Sequence, residues 1–210
     1  MSPPPHRPHP AEPAEPASSR GNVQPGQRLA TRSDEPRIAT LMRSSVLELF
    51  PMFYDERQTL SAATYIAHVD RTLIDDGTYF VHEVDEQIVA CGGWSKRDRL
   101  YTGSDPGDND ARLLDPATEP ARVRAMFVRG DWTRRGLCRA ILTSCERAAH
   151  EAGFRTMSLM ATLPGVPLHR SFGFTAVAPA TVTMPDGMTI DAVEMQRPVH
   201  VRARPPTARA

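Results

Sequence analysis

Apolar residues recur at helical spacing in three long stretches of the chain. The spacing predicts one helix over Glu35–Phe50, with Asp34 as its N-cap, and a second over Ser61–Asp75 that ends at Gly77. A third helix is predicted over Arg134–Gly153. Their apolar positions include Ile38, Leu41, Met42, Val46, Leu49, Tyr65, Ile66, Val69, Leu73, Leu137, Ile141, Leu142, Cys145, Ala148 and Ala152.

Between and after these helices the period shortens to that of strands. Two runs of β-branched and aromatic residues surround Asp85-Glu86-Gln87 and predict a hairpin, and a second hairpin is predicted around Pro185-Asp186-Gly187. Further strands are predicted at 28–31, 121–130 and 156–162, and a short helix at 166–172 that Gly173 ends. The order of elements predicts an α/β fold in which helices flank a mixed, mostly antiparallel twisted sheet of about six to seven strands.

Composition sets the limits of this domain. Residues 1–25 are dominated by Pro, Ala, Ser and Glu, and 200–210 are polar and interrupted by proline, so we expect disordered tails around a domain at 26–199. PxxP-like spacings in the first tail leave open a role in binding a partner. Residues 96–118 are rich in Asp, Gly, Pro and Arg and predict a long loop.

Charge and cysteine content exclude several classes of protein. The formal net charge is zero, which gives no reason to expect nucleic acid or an anionic membrane as a partner. No apolar run reaches the roughly 18 residues that a membrane span needs, and the N-terminus has no apolar core of a signal peptide. Cys91, Cys138 and Cys145 form neither a pair nor a metal-binding cluster, which favours a cytoplasmic protein without a metal.

The stretch GDWTRRGLCRAIL, which runs from Gly130 to Leu142, marks the change from a strand to the third long helix. The first amides of a helix have no partner within it, and the helix dipole adds partial positive charge, so such a junction can bind an anion. Gly136 allows close approach of a ligand, while Arg134 and Arg135 add charge. On spacing alone, a surface turn with solvated arginines explains the stretch equally well.

The order of elements and three motifs resemble the GNAT superfamily of acyl-CoA-dependent N-acetyltransferases. VRAMFVRGDWTRRGLCRAIL resembles the family's fourth strand, diphosphate loop and following helix, and PLHRSFGF resembles its late helix. GGWS and MATLPGVPL are similar to a bacterial branch of the superfamily. The resemblance covers about residues 28–199 and implies the GNAT fold with acetyl-CoA as co-substrate.

The resemblance implies a set of cofactor-binding residues. The family's loop, Gln/Arg-x-x-Gly-x-Gly/Ala, aligns with Thr133–Cys138, where Thr133 and Cys138 depart from the pattern. The segment Met126–Val128 would pair with the pantetheine arm as a further strand. The residues implied to bind acetyl-CoA are Met126, Phe127, Val128, Thr133, Arg134, Arg135, Gly136, Leu137, Cys138 and Arg139.

Two residues are candidates for proton transfer. Many family members use a late-helix tyrosine to reprotonate the departing thiolate, and His169 stands at that position here. A histidine can donate a proton near neutral pH, although packing alone would also explain it. Glu119, at the start of the fourth strand, is a candidate general base, and its proline neighbours favour a loop margin instead. The other candidates are Glu83, Asp98, Asp105, Asp108 and Asp110 as acids, and Trp94, Trp132 and Tyr101 as walls of an acceptor pocket.

The sequence therefore predicts an enzyme that moves an acetyl group from acetyl-CoA to a primary amine by direct attack in a ternary complex. The acceptor can be a small molecule or a peptide, and a homodimer is compatible with the sequence. The alternative is a non-catalytic acyl-CoA-binding regulatory module, which the missing tyrosine and the lack of a clear base would explain. A protein that works through its Pro-rich tail is a third reading.

Overall fold

A computed structural model describes residues 25–98 and 112–200, and it contains a seven-stranded open sheet flanked by helices. The strands are β1 Gly26–Leu29, β2 Tyr79–Val84, β3 Gln87–Ser95, β4 Ala121–Val128, β5 Thr156–Thr162, β6 Thr175–Thr183 and β7 Thr189–Pro198. Their spatial order is β1-β2-β3-β4-β5-β7-β6, and all neighbours are antiparallel except β4 and β5. The predicted fold class is confirmed.

The helices lie on both faces of this sheet. They are α1 Glu35–Leu49, α2 Glu56–Tyr65, α3 Arg71–Asp75, α4 Leu137–Glu151 and α5 Val166–Phe172. Helices α4 and α5 cover one core, to which β5 contributes Met157, Leu159 and Ala161. On β5, Met160 instead packs into a core on the opposite face, which α1 and α2 cover. The alternation follows from the two-residue period of a strand.

The predicted helix over Ser61–Asp75 is wrong, because two helices with a break between them occupy 56–75. Helix α2 begins earlier, at Glu56, where Asp55 and Gln58 form a capping box. It ends at Tyr65, and α3 begins only at Arg71 because Asp70 adopts an extended conformation as the N-cap of α3. The break brings Asp70 into the interior, where its side chain pairs with Arg124.

Helix α4 also begins later than predicted, at Leu137 rather than Arg134. Arg134 and Gly136 have φ angles of 60° and 82°, in the left-handed region, which is incompatible with a right-handed helix. Glycine adopts this conformation without strain, whereas arginine does so at some cost. The predicted hairpins and α5 are present, and Asp85 and Glu86 form the first turn with positive φ angles.

No helix of the described residues is long and apolar enough to cross a membrane. The same part of the chain holds no group of three or more His, Cys, Asp or Glu side chains that could bind a metal ion. The predicted tails fall almost entirely outside the described residues, as do 99–111 of the predicted loop with Tyr101, Asp105, Asp108 and Asp110.

Candidate active site

The sheet opens where its two parallel strands part. Strands β4 and β5 pair only through Ala121–Met157 and Arg122–Ser158, so beyond Arg122 the β5-facing edge of β4 has no strand partner. A cavity of about 610 Å³ occupies the opening. Residues of α4, α5 and the preceding loop line one side of it, and residues of α1 and β6 line the other, so the cavity connects the two faces of the sheet.

Strand β4 carries a bulge where it borders the cavity. The β3–β4 register shifts between Cys91 and Gly93, and Ala125 has a φ of 53°, which is unfavourable for a residue with a Cβ. Gly92 lies opposite the bulge, where a Cβ would come within 2.6 Å of the Met126 sulfur. Local strain of this kind persists only where the surrounding packing holds it in place, and it is often found at functional sites.

Buried polar side chains lie at the bulge and next to it. The Tyr79 hydroxyl, fully buried, lies 3.3 Å from the Ala125 carbonyl oxygen, to which it can donate a hydrogen bond. Next to the bulge, the Arg124 guanidinium forms an ion pair with Asp70, and both side chains are 2% exposed. Burial of the ring raises the pKa of Tyr79 well above its usual value, so the hydroxyl keeps its proton.

The start of α4 lies at one end of the cavity. Its N-cap is Gly136, which has no side chain to cap the first amides, and a Cβ there would meet nothing within 4 Å. Thr133, Arg134, Gly136, Leu137, Cys138 and Arg139 line the cavity. Among the described residues, Arg134 makes no ion pair, whereas the Arg135 guanidinium lies over the Trp132 ring, 4.4 Å from its centroid. This end of the cavity is open, cationic and rich in backbone donors.

Arg139 is fixed by the late helix. Its guanidinium donates to the Ser171 carbonyl oxygen at 2.8 Å and lies over the Phe172 ring, 5.6 Å from the centroid. The three β4 residues predicted from the resemblance, Met126–Val128, also line the cavity. All residues predicted to bind the carrier except Arg135 therefore lie in the wall of one cavity.

His169 lies in α5 and lines the same cavity, although only 6% of it is exposed. Its ring packs edge-on against Phe174, and its Nδ1 atom has no hydrogen-bond partner in the described residues. Burial lowers the pKa of His169 to about 4, so the imidazole is neutral at pH 7. A neutral ring in this position can donate or accept a hydrogen bond but carries no charge.

Because His169 is buried in its neutral form, we expect the protein to lose stability as the pH falls from about 6.5 to 4. In that range the unfolded chain binds a proton at His169 that the folded chain does not, so protonation favours unfolding. The contribution amounts to roughly 2–3 kcal/mol at pH 4.5. Urea denaturation at several pH values checks this, with His169→Phe showing a shallower fall than the wild type. Equal slopes for both proteins would contradict the assignment.

Glu119 lies away from the cavity, two residues before β4 begins and at the end of the strand opposite Met126–Val128. Arg112 donates two hydrogen bonds of 2.7 Å to its carboxylate and lowers the pKa of Glu119 to about 2. A carboxylate with so low a pKa is a weak base. The ion pair also links residue 112 to residue 119, close to the start of β4.

Of the remaining candidate side chains in the described residues, only Trp132 lines the cavity. Trp132 lines the cavity, whereas Trp94 is buried in the core against Phe154. Glu83 pairs with Arg28 and Arg37, and Asp98 pairs with Arg112 and Arg122. None of these acids lines the cavity. Sequence reasoning missed Tyr79, Asp70 and the apolar residues around 49–53, because their roles depend on contacts between distant segments.

Comparison with known proteins agrees with this geometry. The family model described as "Acetyltransferase (GNAT) family" matches residues 43–174. No curated protein matches the chain. Among solved structures, a GCN5-related N-acetyltransferase from Rhodopseudomonas palustris is similar, with 16% identity and a TM-score of 0.64 over 84% of this chain and 96% of that one.

Two further structures show the same fold with a carrier bound. PaiA N-acetyltransferase from Thermoplasma acidophilum, in complex with coenzyme A, has 10% identity and a TM-score of 0.58, over 84% of this chain and 99% of that one. YncA from Salmonella typhimurium, with acetyl-CoA, has 18% identity and a TM-score of 0.55, over 88% and 99%. The match of the family model over more than half of the chain shows that this protein belongs to the GNAT acetyltransferase family.

Proposed function

We propose that this protein transfers the acetyl group of acetyl-CoA to a primary amine by direct attack in a ternary complex. The observation that carries the proposal is the cavity between β4 and β5, which joins the start of α4, where no side chain caps the first amides, on one face of the sheet to an opening on the other. A carrier and an acceptor can therefore reach one reaction centre from opposite sides.

The carrier would bind from the α4 side. The first amides of α4 and the guanidinium of Arg134 would hold its diphosphate, since a helix start combines free N–H donors with partial positive charge. The unpaired edge of β4 at Met126–Val128 would pair with the pantetheine arm as another strand does. The open space at Gly136 leaves room for the phosphate oxygens close to the backbone.

The bulge of β4 would serve the chemical step. The thioester supplies an acetyl carbonyl that is already activated toward a nitrogen nucleophile. An amide of the bulge would donate to the oxygen that becomes negative, a role in which fixed geometry matters because the donor need not reorganise. Tyr79 and the Arg124–Asp70 pair would act as positioning residues, since Tyr79 can donate to the Ala125 carbonyl and the ion pair fixes the residue before Ala125.

The reaction must also balance its protons. The nitrogen forms a bond to the carbonyl carbon, the carbon–sulfur bond breaks, the nitrogen loses a proton and the sulfur gains one. We assign to His169 a hydrogen bond from the N–H of its neutral ring to the departing sulfur; the ring keeps its proton, and water would supply the proton that the sulfur gains. No proton transfer is assigned to Glu119, and the nitrogen's proton would leave to water.

A covalent cysteine intermediate does not fit this site. Cys138 is the one described cysteine that lines the cavity, and burial raises the pKa of its thiol to about 12. Since the thiolate is the nucleophilic form, a thiol with so high a pKa reacts poorly near neutral pH. Direct attack by the amine is therefore the simpler route.

Release of free CoA thiol from acetyl-CoA, measured with and without a panel of primary amines, tests the proposal. We expect thiol release that depends on an amine. In His169→Phe, kcat should be about tenfold or more lower. The loss should be the same at every pH from 6 to 8.5, because His169 does not titrate in that range. His169→Tyr should recover part of the rate, and His150→Phe, at an exposed histidine of α4, should match the wild type. Binding of acetyl-CoA without release over any amine would favour the non-catalytic module.

A further inference from the structure

The opening on the α1 side of the cavity is apolar. It is formed by the end of α1, the 3₁₀ turn Phe50–Met52 that follows, the residue after α2, and β6. The side chains that line it are Leu49, Phe50, Met52, Phe53, Ile66 and Val182. Met52 and Phe53 are 81% and 44% exposed, so two large apolar side chains stand at the rim in contact with solvent.

The charged side chains that the described part of the chain contributes to the cavity wall are all cationic. Within residues 25–98 and 112–200, no aspartate or glutamate lines the cavity, whereas Arg124, Arg134 and Arg139 do. Arg124 is paired with Asp70, and the other two arginines belong to the end at α4. Glu48, which lies between lining residues of α1, accepts a hydrogen bond of 2.8 Å from the Gly130 amide and is not part of the wall.

These properties restrict the acceptor. A second ammonium group on the acceptor would lose its hydration against this wall and meet no carboxylate from the described residues in return, which is costly. An aliphatic or aromatic substituent would gain by leaving water. We propose that the acceptor is a primary amine whose neighbouring substituent is apolar and uncharged, such as an arylalkylamine or alkylamine. The inference rests on the proposed acetyl transfer.

Hexylamine and 1,6-diaminohexane form a matched pair, because they differ only in the second ammonium group. With acetyl-CoA saturating, we expect kcat/KM for hexylamine to exceed that for the diamine by about 30-fold or more. Along a series from propylamine to hexylamine, kcat/KM should rise by up to about fourfold per methylene. A short peptide with N-terminal leucine, compared with one that begins with aspartate, shows whether the apolar substituent can also belong to a polypeptide.

The variant Phe53→Glu places a carboxylate at the rim and should weaken this preference. We expect it to lower kcat/KM for hexylamine by about tenfold and to reduce the ratio between hexylamine and the diamine to threefold or less, roughly the difference one paired charge makes. Leu60→Glu is the matched control, since Leu60 is 50% exposed in α2 and does not line the cavity. It should leave both rates and the ratio unchanged.

The outcomes separate the two proposals. Amine-dependent thiol release that favours spermidine, the diamine or the aspartyl peptide would overturn the apolar acceptor and leave acetyl transfer standing. No release with any amine would overturn acetyl transfer. In that case, calorimetric titration of the CoA-bound protein with hexylamine still tests the apolar surface. We expect hexylamine to bind and Phe53→Glu to weaken its binding. No binding, or equal binding by the variant, would overturn the inference as well.

Discussion

Replacing Arg134 by glutamate is expected to raise the KM for acetyl-CoA by about 30-fold or more and to leave kcat nearly unchanged. Arg134 lines the cavity at the start of α4 and, among the described residues, forms no ion pair, so its charge is available for a diphosphate. A charge-assisted hydrogen bond to phosphate contributes about 1.5–3 kcal/mol, and the new carboxylate adds repulsion. The contact is remote from the reacting carbonyl, so its loss weakens ground state and transition state alike.

Arg147→Glu is the matched control for this prediction. Arg147 lies in α4 and is exposed, and its replacement by glutamate changes the net charge by the same amount. Calorimetric titration with CoA and steady-state kinetics should show wild-type affinity for this variant. If Arg134→Glu also keeps its affinity, or if both variants lose it equally, the diphosphate does not bind at Arg134.

The sequence was sufficient for the fold class, and nine of the ten residues that the family resemblance implied line one cavity. Helical and strand periods located most elements, because each element buries one face and the pattern of burial is written in consecutive residues. The boundaries were less accurate where a single residue adopts an unusual conformation. Arg134 has a left-handed φ that no pattern of hydrophobicity indicates, and Asp70 interrupts a stretch with helical spacing.

The contacts that shape the reaction centre could not be predicted. The Tyr79 hydroxyl reaches Ala125 from a different strand, 46 positions earlier in the chain, and Asp70 reaches Arg124 across 54 positions. The apolar rim combines the end of α1 with β6. In each case the residue type is ordinary for a core or a helix end, and only the arrangement of distant segments gives it a place beside the cavity.

One of those contacts, the buried Asp70–Arg124 ion pair, can be tested by substitution. We expect Asp70→Asn to lower the free energy of unfolding by about 3–5 kcal/mol. Asparagine keeps the size of the side chain, and Asp70 makes no capping hydrogen bond with its side chain that could be lost, so the main change is the loss of charge. That loss removes the negative charge that Asp70 places beside the Arg124 guanidinium, and both side chains are 2% exposed. Urea denaturation at pH 7 gives the difference.

A second aspartate supplies the control. Asp75 pairs with Arg32 at the surface, where both side chains are about half exposed, so Asp75→Asn should cost less than about 1 kcal/mol.

The double variant Asp70→Asn/Arg124→Met removes the buried charge altogether and should recover a large part of the lost stability. Because Arg124 adjoins the strained Ala125, that double variant should still show a lower kcat than the wild type at full folding. A double variant with wild-type kcat would mean that the pair stabilises the fold without positioning the bulge.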